Sequence, residues 1–153
     1  MFDLHSGGIL GLIFRLEHAH YTTDFVKNQL KSLRVERWEQ IGLTVCGLSG
    51  SQVAELDALY KQHGEAPGIA DLSTVVLAKA YNASLVTRDH ELAGIAMDRG
   101  VHVIHSLEVI EELVDTGVLS AADAASALRE IMRKRRKFPQ VRSLALLRKW
   151  TST

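Results

Sequence analysis

The sequence has a single cysteine, Cys46, among its 153 residues. One cysteine excludes an internal disulfide, and this usage is typical of a reducing compartment, so we expect a cytoplasmic location. Cys46 stands in an apolar context with no evident base beside it in the sequence. It is therefore predicted to be a small buried side chain and not a nucleophile.

Long apolar runs and a leader pattern are also lacking. No apolar run reaches the roughly 18 residues that a membrane-spanning helix needs, so we expect no membrane contact. Residues 1–16 are apolar, but they have no basic leading segment and no small-residue cleavage pattern, which argues against a signal peptide. Apolar residues make up 46% and charged residues 24%, enough for one core, and we predict a single domain over residues 1–153.

The common phosphate-loop and zinc-site spacings are missing as well. Neither GxxxxGK[ST] nor GxGxxG occurs, and there is no HExxH motif. The histidine pairs His18/His20 and His102/His105 have no Cys or His partner at zinc-finger spacing. The sequence therefore gives no support to a mononucleotide loop, a dinucleotide fingerprint or a zinc site.

The formal net charge is zero, but the charges are unevenly distributed. Residues 129–153 contain nine Lys and Arg and one Glu, which leaves nine basic and seventeen acidic residues in 1–128. A basic segment of this kind is typical either of a solvated helix face or of a surface that contacts nucleic acid or another partner. The sequence leaves both interpretations open.

Short apolar runs alternate with capped helical segments along the chain. We predict a buried helix at residues 9–16 and strands at residues 18–21, 43–46, 83–86 and 101–104. Helix starts are predicted at residues 22–24, Ser49, Ser106 and Ser120. The alternation of strands with helices argues for an α/β fold in which helices cover both faces of a parallel sheet.

Two aspartates occupy the positions that hint at chemistry. Asp71 lies near the start of an apolar helical run over residues 72–80, and Asp89 follows the predicted strand 83–86. Ligands of open α/β sheets bind outside the carboxyl ends of the strands, and a hard cation there prefers carboxylate oxygens. The alternative is that both aspartates merely cap helices, since Asp is favoured at helix starts. We predict that the two carboxylates converge, close enough to share one ion or water.

This stretch resembles the PIN domain, and more closely its VapC-like members. The resemblance rests on a helix that opens with Ala-Asp, a strand that ends in Thr-x-Asp and a helix that begins polar-Leu-x-x-x-Ala; here these are Ala70-Asp71, Thr87-Arg88-Asp89 and residues 91–96. Residues 2–16, 23–26, 100–103, 116–120 and 135–139 also look like family segments, so the match spans nearly the whole chain. The resemblance implies a three-layer α/β/α PIN-like domain with a parallel sheet.

In function, the resemblance implies the toxin of a type II toxin–antitoxin system, a metal-dependent endoribonuclease. Asp71 and Asp89 would be its catalytic and metal-ligating residues, Mg²⁺ or Mn²⁺ its cofactor, and Thr87 a supporting residue. The implied partners are RNA, a small antitoxin protein and a second copy of the chain in a homodimer. The apolar carboxyl-terminal helices would supply the dimer interface.

The chain departs from the family pattern at two of the family's four acidic positions. The first acid ends an opening strand, central in the family's sheet, that would precede residues 2–4. Neither that strand nor its acid is present here, so the expectation is either a start upstream of Met1 or a remnant. Gln29 replaces the second acid and supplies an oxygen without a negative charge. Asp3 better matches a second, non-catalytic aspartate of the same segment.

Two carboxylates hold a hydrated Mg²⁺ weakly, so we expect impaired cleavage. Two alternatives to an active ribonuclease stay open. The first is a catalytically inactive PIN-like module that binds protein or RNA, which Gln29 and the absent first acid favour. The second is an α/β regulatory domain without nuclease ancestry, which requires the match at Asp71 and Asp89 to be chance.

Overall fold

A computed structural model of the chain describes residues 2–30, 34–135 and 137–152. These residues form two compact units. One consists of residues 18–104, and the other combines the residues up to Glu17 with those from His105 onward. No helix in the described ranges is long and apolar enough to cross a membrane. The single domain over residues 1–153 stays a prediction.

Helices and short strands alternate along the chain, which confirms the α/β class. In chain order the elements are α1 (Phe2–Ser6), a 3₁₀ helix (Leu10–Arg15), β1 (His20–Thr23), α2 (Asp24–Gln29), α3 (Val35–Glu39), β2 (Leu43–Cys46), α4 (Gly50–His63), α5 (Ile69–Ala80), β3 (Leu85–Val86), α6 (His90–Asp98), β4 (Val103–Ile104), α7 (Ser106–Asp115), α8 (Ala121–Lys134) and α9 (Gln140–Thr151). Strand β2 has the predicted bounds, whereas β1 begins and ends two residues later than predicted.

The strands pair in parallel, as predicted, but not in one sheet. β1 pairs with β2, from His20 opposite Leu43 to Thr23 opposite Cys46, and β3 pairs with β4. Among the described residues these are two separate two-stranded sheets, where the sequence predicts a single one. A hydrogen-bonded ladder continues only where the next strand supplies backbone donors and acceptors. β1 and β3 do not pair with each other, so the four strands do not join into one sheet.

Helix α5 forms the centre of the core in the unit of residues 18–104. It contacts β1, β3, α2, α4 and α6. The buried cluster around it consists of Leu56, Leu59, Leu72, Val75, Val76, Ala78, Leu85, Leu92, Ile95, Ala96 and Val101. Because α5 contacts both β1 and β3, one helix packs against both sheets of this unit.

Local signals in the sequence predict the starts of α2 and α4 and the end of α5. Thr23 caps α2 by accepting a hydrogen bond from the backbone N–H of Val26 at 3.2 Å. Ser49 forms a capping box with Gln52 at the start of α4. Helix α5 ends before Asn82, whose φ of 48° is left-handed. Asn tolerates this conformation better than most residues, which explains how the chain turns there into β3.

Helix α3 is not predicted by the sequence, because its residues read as a mostly polar segment. Val35 is its buried residue, and the helix packs against β2. Lys27 of α2 reaches Glu39 of α3, with 2.7 Å between Nζ and Oε2. A five-residue helix of this composition is marginal by itself, so packing and not intrinsic propensity holds it.

The second unit is helical. α8 packs against α1, α7 and α9, and the 3₁₀ helix packs against α7. The sequence predicts a buried helix at residues 9–16, whereas the structure has a 3₁₀ helix with Leu10 as its buried residue. Gly8, with a φ of 72°, turns the chain out of α1 before this segment. Gly7 lies so close to α8 that a Cβ there would meet Ile131 Cγ1 at 3.0 Å.

Asp3 is a buried carboxylate of this helical unit, 7% exposed. Its Oδ2 accepts a hydrogen bond from Ser106 Oγ at 2.9 Å, and its Oδ1 lies 3.9 Å from Arg135 Nε. The sequence predicts Ser106 as the cap of α7, but His105 holds the N-cap position and Ser106 is the first helical residue. The hydroxyl of Ser106 therefore serves Asp3 and not the helix start.

Candidate functional site

Asp71 is the third residue of α5 and lies on its exposed side. Gly68 holds the N-cap position of this helix, so Asp71 is not the cap that the alternative interpretation requires. Its neighbours Ala70 and Leu72 are 2% and 0% exposed. Because successive helical residues point about 100° apart, burial of both neighbours leaves Asp71 outward.

Asp89 follows β3 directly and is the N-cap of α6. Its Oδ1 accepts a hydrogen bond from the backbone N–H of Leu92 at 2.8 Å, and its own N–H donates to Thr87 Oγ1 at 3.2 Å. For Asp89, the helix-capping interpretation is therefore right. A cap occupies one carboxylate oxygen, and Oδ2 still offers lone pairs to a further ligand. Asp89 is exposed, so such a ligand has access.

The two carboxylates interact electrostatically. The pKa of Asp71 is raised above its ordinary value, first by partial desolvation and second by the negative charge of Asp89. Asp71 remains exposed, so its desolvation is incomplete. That they share one ion or water stays a prediction.

The oxygen donors at these positions suit a hard divalent ion. Magnesium is commonly bound by one or two carboxylates, with water or phosphate oxygens completing its octahedral shell. Asp71 and Asp89 provide such a pair. Across residues 2–30, 34–135 and 137–152, no group of three or more His, Cys, Asp or Glu side chains is placed to hold a metal ion. The donor set fits a weakly held, largely hydrated ion and not an all-protein cage.

Gln29 and Thr87 are the other residues that the family resemblance singles out. Gln29 is the exposed last residue of α2, and α2 packs against α5, which carries Asp71. Thr87 donates its backbone N–H to the carbonyl of Ile104 at 3.1 Å while its hydroxyl accepts from Asp89. Thr87 therefore ties the turn that carries Asp89 to the end of β4.

A buried pair of hydroxyl groups between β1 and α5 is not identified by the sequence analysis. Thr23 Oγ1 and Ser73 Oγ lie 2.7 Å apart, and both residues are 0% exposed. Thr23 ends β1, and Ser73 lies two residues after Asp71 in the first turns of α5. Fifty positions separate the two residues, so no local pattern signals the contact. The sequence predicts Thr23 as a helix cap, whereas no sequence pattern predicts that Ser73 bonds to a distant hydroxyl.

The side chains of Cys46, His18 and His20 contact other side chains of the fold. Cys46 is buried, as predicted, and the hydroxyl of Tyr81 lies 3.6 Å from its Sγ. The rings of His18 and His20 meet edge to face, with 6.5 Å between their centroids. Neither arrangement adds a ligand or a base to the two carboxylates.

Comparisons of the chain with family models, with curated proteins and with solved structures found no match. The resemblance to PIN domains therefore depends on the motifs at Asp71 and Asp89 and on the similar flanking segments. Any function assigned from it is a proposal.

Replacement of Asp71 by Asn is expected to stabilise the chain at neutral pH when no divalent ion is present. A raised pKa means that the folded state binds the proton more tightly than the unfolded chain does. The associated stability is present below the ordinary value of 3.8 and is lost as the pH rises through the folded pKa. Asn removes the negative charge that desolvation and Asp89 disfavour in the folded state. Because the position is exposed, we expect the free energy of unfolding to rise by no more than about 0.5 kcal/mol.

Urea unfolding of Asp71→Asn and of the unsubstituted chain, at neutral and acidic pH, tests this expectation. The gain should shrink as the pH falls, because Asp71 then becomes neutral. Asp123 offers a matched control, since it is also the third residue of its helix. Asp123→Asn should lose stability, because the Asp123 carboxylate accepts from Ser120 Oγ at 2.6 Å and a charged acceptor makes the stronger hydrogen bond. A loss of stability in Asp71→Asn at neutral pH would contradict the prediction.

Proposed function

We propose that this chain is a PIN-like domain of the VapC type, a metal-dependent endoribonuclease whose acidic site is incomplete. The observation that carries the proposal is the placement of two exposed carboxylates at helix starts, Asp71 in the first turn of α5 and Asp89 as the N-cap of α6 after β3. The negative charge of Asp89 also contributes, after desolvation, to the raised pKa of Asp71. Carboxylates at strand ends and helix starts are the kind of group that binds a divalent ion next to a phosphodiester.

Each residue has a role under this proposal. A bound Mg²⁺ or Mn²⁺ would supply the Lewis acidity that polarises a phosphodiester and its attacking water. Asp71 and Asp89 would hold the ion, and Oδ2 of Asp89 is the oxygen that the bond from Leu92 leaves available. Thr87 orients Asp89 through the bond between Oγ1 and the Asp89 N–H. Gln29 occupies a position where the resembled family has an acid, so the site lacks a charge there.

The proposed partners are RNA, an antitoxin protein and a second copy of the chain, in a cytoplasmic setting that suits one free cysteine. The basic segment 129–153 supports contact with a polyanion, although several of its cations pair within the chain, such as Arg142 with Glu111 at 2.7 Å. On α9, Val141 and Leu144 are 87% and 48% exposed, which supports an apolar contact between copies.

The second candidate function is a binding module that retains the PIN-like fold without cleavage. The neutral Gln29 favours it, together with the lack of any described group of three acids or histidines that could hold a metal. Such a module would bind RNA without hydrolysing it, and its affinity would not depend on Asp89 and Mg²⁺ together.

Divalent ions are expected to stabilise the chain through Asp71 and Asp89. A ligand that binds only the folded state raises the free energy of unfolding, by roughly 1.4 kcal/mol at ten times its dissociation constant. Thermal unfolding with increasing Mn²⁺ or Mg²⁺ measures this gain. Asp89→Asn is the control, because Asn caps a helix as well as Asp does but contributes no charge to the ion. Equal stabilisation of both proteins would rule out a metal site at Asp89.

A further inference from the structure

Helix α9 has an exposed stripe on the side that faces away from α8, the helix it packs against. Three residues form its buried side: Ser143, Leu146 and Trp150. Val141, Leu144, Ala145 and Arg148 are all exposed, and their i, i+3, i+4, i+7 spacing places them along one face of the helix. We call these four residues the α9 stripe. It is apolar over its first turn and a half and ends in a positive charge.

The apolar part of the α9 stripe is unusually open to solvent. Val141 is 87% exposed, the most of any large apolar side chain that the structure describes, and Leu144, one turn further along, is 48% exposed. Single exposed apolar side chains are ordinary, but here two of them are neighbours on one helix face. Helices that recognise each other through apolar faces use anchors at this spacing. The α9 stripe therefore offers the contact surface that a second helix needs.

The charge around the α9 stripe decides which kind of helix fits it. Helix α9 contains Arg142, Arg148 and Lys149 and no Asp or Glu. Arg142 is neutralised within the chain, by Glu111 at 2.7 Å and by Glu108 at 3.6 Å. The guanidinium of Arg148 makes no ion pair within residues 2–30, 34–135 and 137–152. A complementary surface is therefore apolar along most of its length and carries carboxylates where it meets Arg148.

A second copy of the chain, which exposure alone would also fit, does not supply those carboxylates from its own α9. In a twofold contact the same patch is used by both copies. If two α9 stripes cover each other in antiparallel orientation, Arg148 of each copy lies on Val141 of the other. In parallel orientation Arg148 lies on Arg148. Both arrangements desolvate a cation without a partner, which is costly.

We propose that the α9 stripe docks an acidic amphipathic helix of a partner protein. The apolar side chains of that helix cover Val141, Leu144 and Ala145, and one of its carboxylates pairs with Arg148. RNA supplies negative charge but no aliphatic face for Val141 and Leu144. This interaction involves neither Asp71 nor Asp89, so it does not depend on metal binding or on RNA cleavage.

Titration of the full chain with two synthetic helical peptides tests the inference. Both peptides carry Leu and Ala at i, i+3, i+4 and i+7 spacing; one has Glu at the flanking positions and the other has Lys. Backbone amide shifts report where each peptide binds. We expect the Glu peptide to shift the signals of α9 and to bind at least about tenfold more tightly than the Lys peptide, because opposite charges attract and like charges repel across an interface.

Two substitutions in the α9 stripe separate its charge from its apolar surface. Arg148→Glu is expected to reverse the preference, so that the Lys peptide binds more tightly than the Glu peptide. Leu144→Ser is expected to weaken binding of the Glu peptide about tenfold, because it removes an apolar anchor from the contact. Both side chains are exposed, so neither change disturbs the core.

Matched controls come from the unit of residues 18–104, which does not contain α9. Arg37 is an exposed cation of α3, and Arg37→Glu changes the net charge by the same amount as Arg148→Glu. Met97 is 60% exposed on α6, and Met97→Ser removes an apolar side chain outside the α9 stripe. Neither control should change the affinity for either peptide by more than about twofold.

Four results would overturn the inference. The first is a lack of binding by the Glu peptide, and the second is the same reversal in Arg37→Glu as in Arg148→Glu, since net charge would then explain it. The third is a concentration-dependent dimer in size-exclusion chromatography that Leu144→Ser dissolves, which would assign the α9 stripe to a second copy. The fourth is binding to phosphatidylserine vesicles but not to the Glu peptide, which would assign it to a membrane surface.

Discussion

RNA cleavage by this chain is expected to be very weak or undetectable, even with Mg²⁺ or Mn²⁺ present. Asp71 and Asp89 supply the charge at the proposed site, and Gln29 adds none. Mg²⁺ sheds its waters reluctantly and depends on carboxylate charge for its placement. A loosely placed ion polarises the phosphodiester poorly, so we expect little acceleration over the uncatalysed reaction.

Adding two acids at the positions where the resembled family has them should raise cleavage. The restored variant carries Gln29→Glu and, joined before Met1, an apolar strand that ends in Asp-x-Asn, as in the resembled family. Substitutions outside a coordination shell already change activity by about 10–100-fold, so two added ligands should raise cleavage at least a hundredfold. Gln29→Glu alone should raise cleavage little, because one added charge still leaves the proposed site one acid short of the family's four. The strand alone should give an intermediate gain.

The measurement is cleavage of a mixed single-stranded RNA pool by each purified protein with Mg²⁺ or Mn²⁺. Asp89→Asn in the restored variant is the control, since it keeps the cap of α6 and removes the charge. Strong metal-dependent cutting by the chain as it stands, abolished by Asp89→Asn, would contradict the prediction. Another carboxylate, such as Asp3 or Glu65, would then have to complete the site. RNA binding without cleavage in every variant would favour the binding module.

Asp3→Ala is expected to destabilise the chain by about 1–3 kcal/mol, because it leaves the buried Ser106 hydroxyl without its acceptor. Ser106, 3% exposed, donates to Asp3 Oδ2, and Arg135 lies beside Oδ1. Asp3→Asn keeps an oxygen for Ser106 and should cost roughly half as much. Urea unfolding measures both changes. This result would identify Asp3 as a structural residue of the helical unit, as its non-catalytic match in the family suggests.

Asp57 supplies the control for this second prediction. It is an exposed acid paired with Lys61 one helical turn away, at 2.6 Å. Asp57→Ala should cost no more than about 0.5 kcal/mol, because such surface pairs are solvated and screened. Similar losses of unfolding free energy in Asp3→Ala and Asp57→Ala would show that the buried position of Asp3 gives it no larger role in stability than a surface acid has. In the RNA-cutting variant, Asp3→Asn should leave the cleavage rate unchanged, which distinguishes a structural acid from a metal ligand.

The sequence by itself determined the elements whose signals are local. The Ser49 capping box, the Thr23 cap, the strand over Leu43–Cys46 and the end of α5 before Asn82 are all where the sequence predicts them. Each depends on contacts within a few residues, so the amino-acid order is sufficient to specify it. For the same reason the sequence places Asp71 in the first turn of a helix and Asp89 at the end of a strand.

Only the tertiary structure decided how these elements combine. The separation of the strands into two pairs depends on which backbone edges meet, and no local pattern encodes that. The short helix α3 depends on packing against β2, and Ser106 turns from a predicted cap into a partner of Asp3 across 103 positions. The hydrogen bond between Thr23 and Ser73 joins residues fifty positions apart. Contacts of this kind arise when distant segments are buried together, because a buried hydroxyl or carboxylate must find its partner inside the fold.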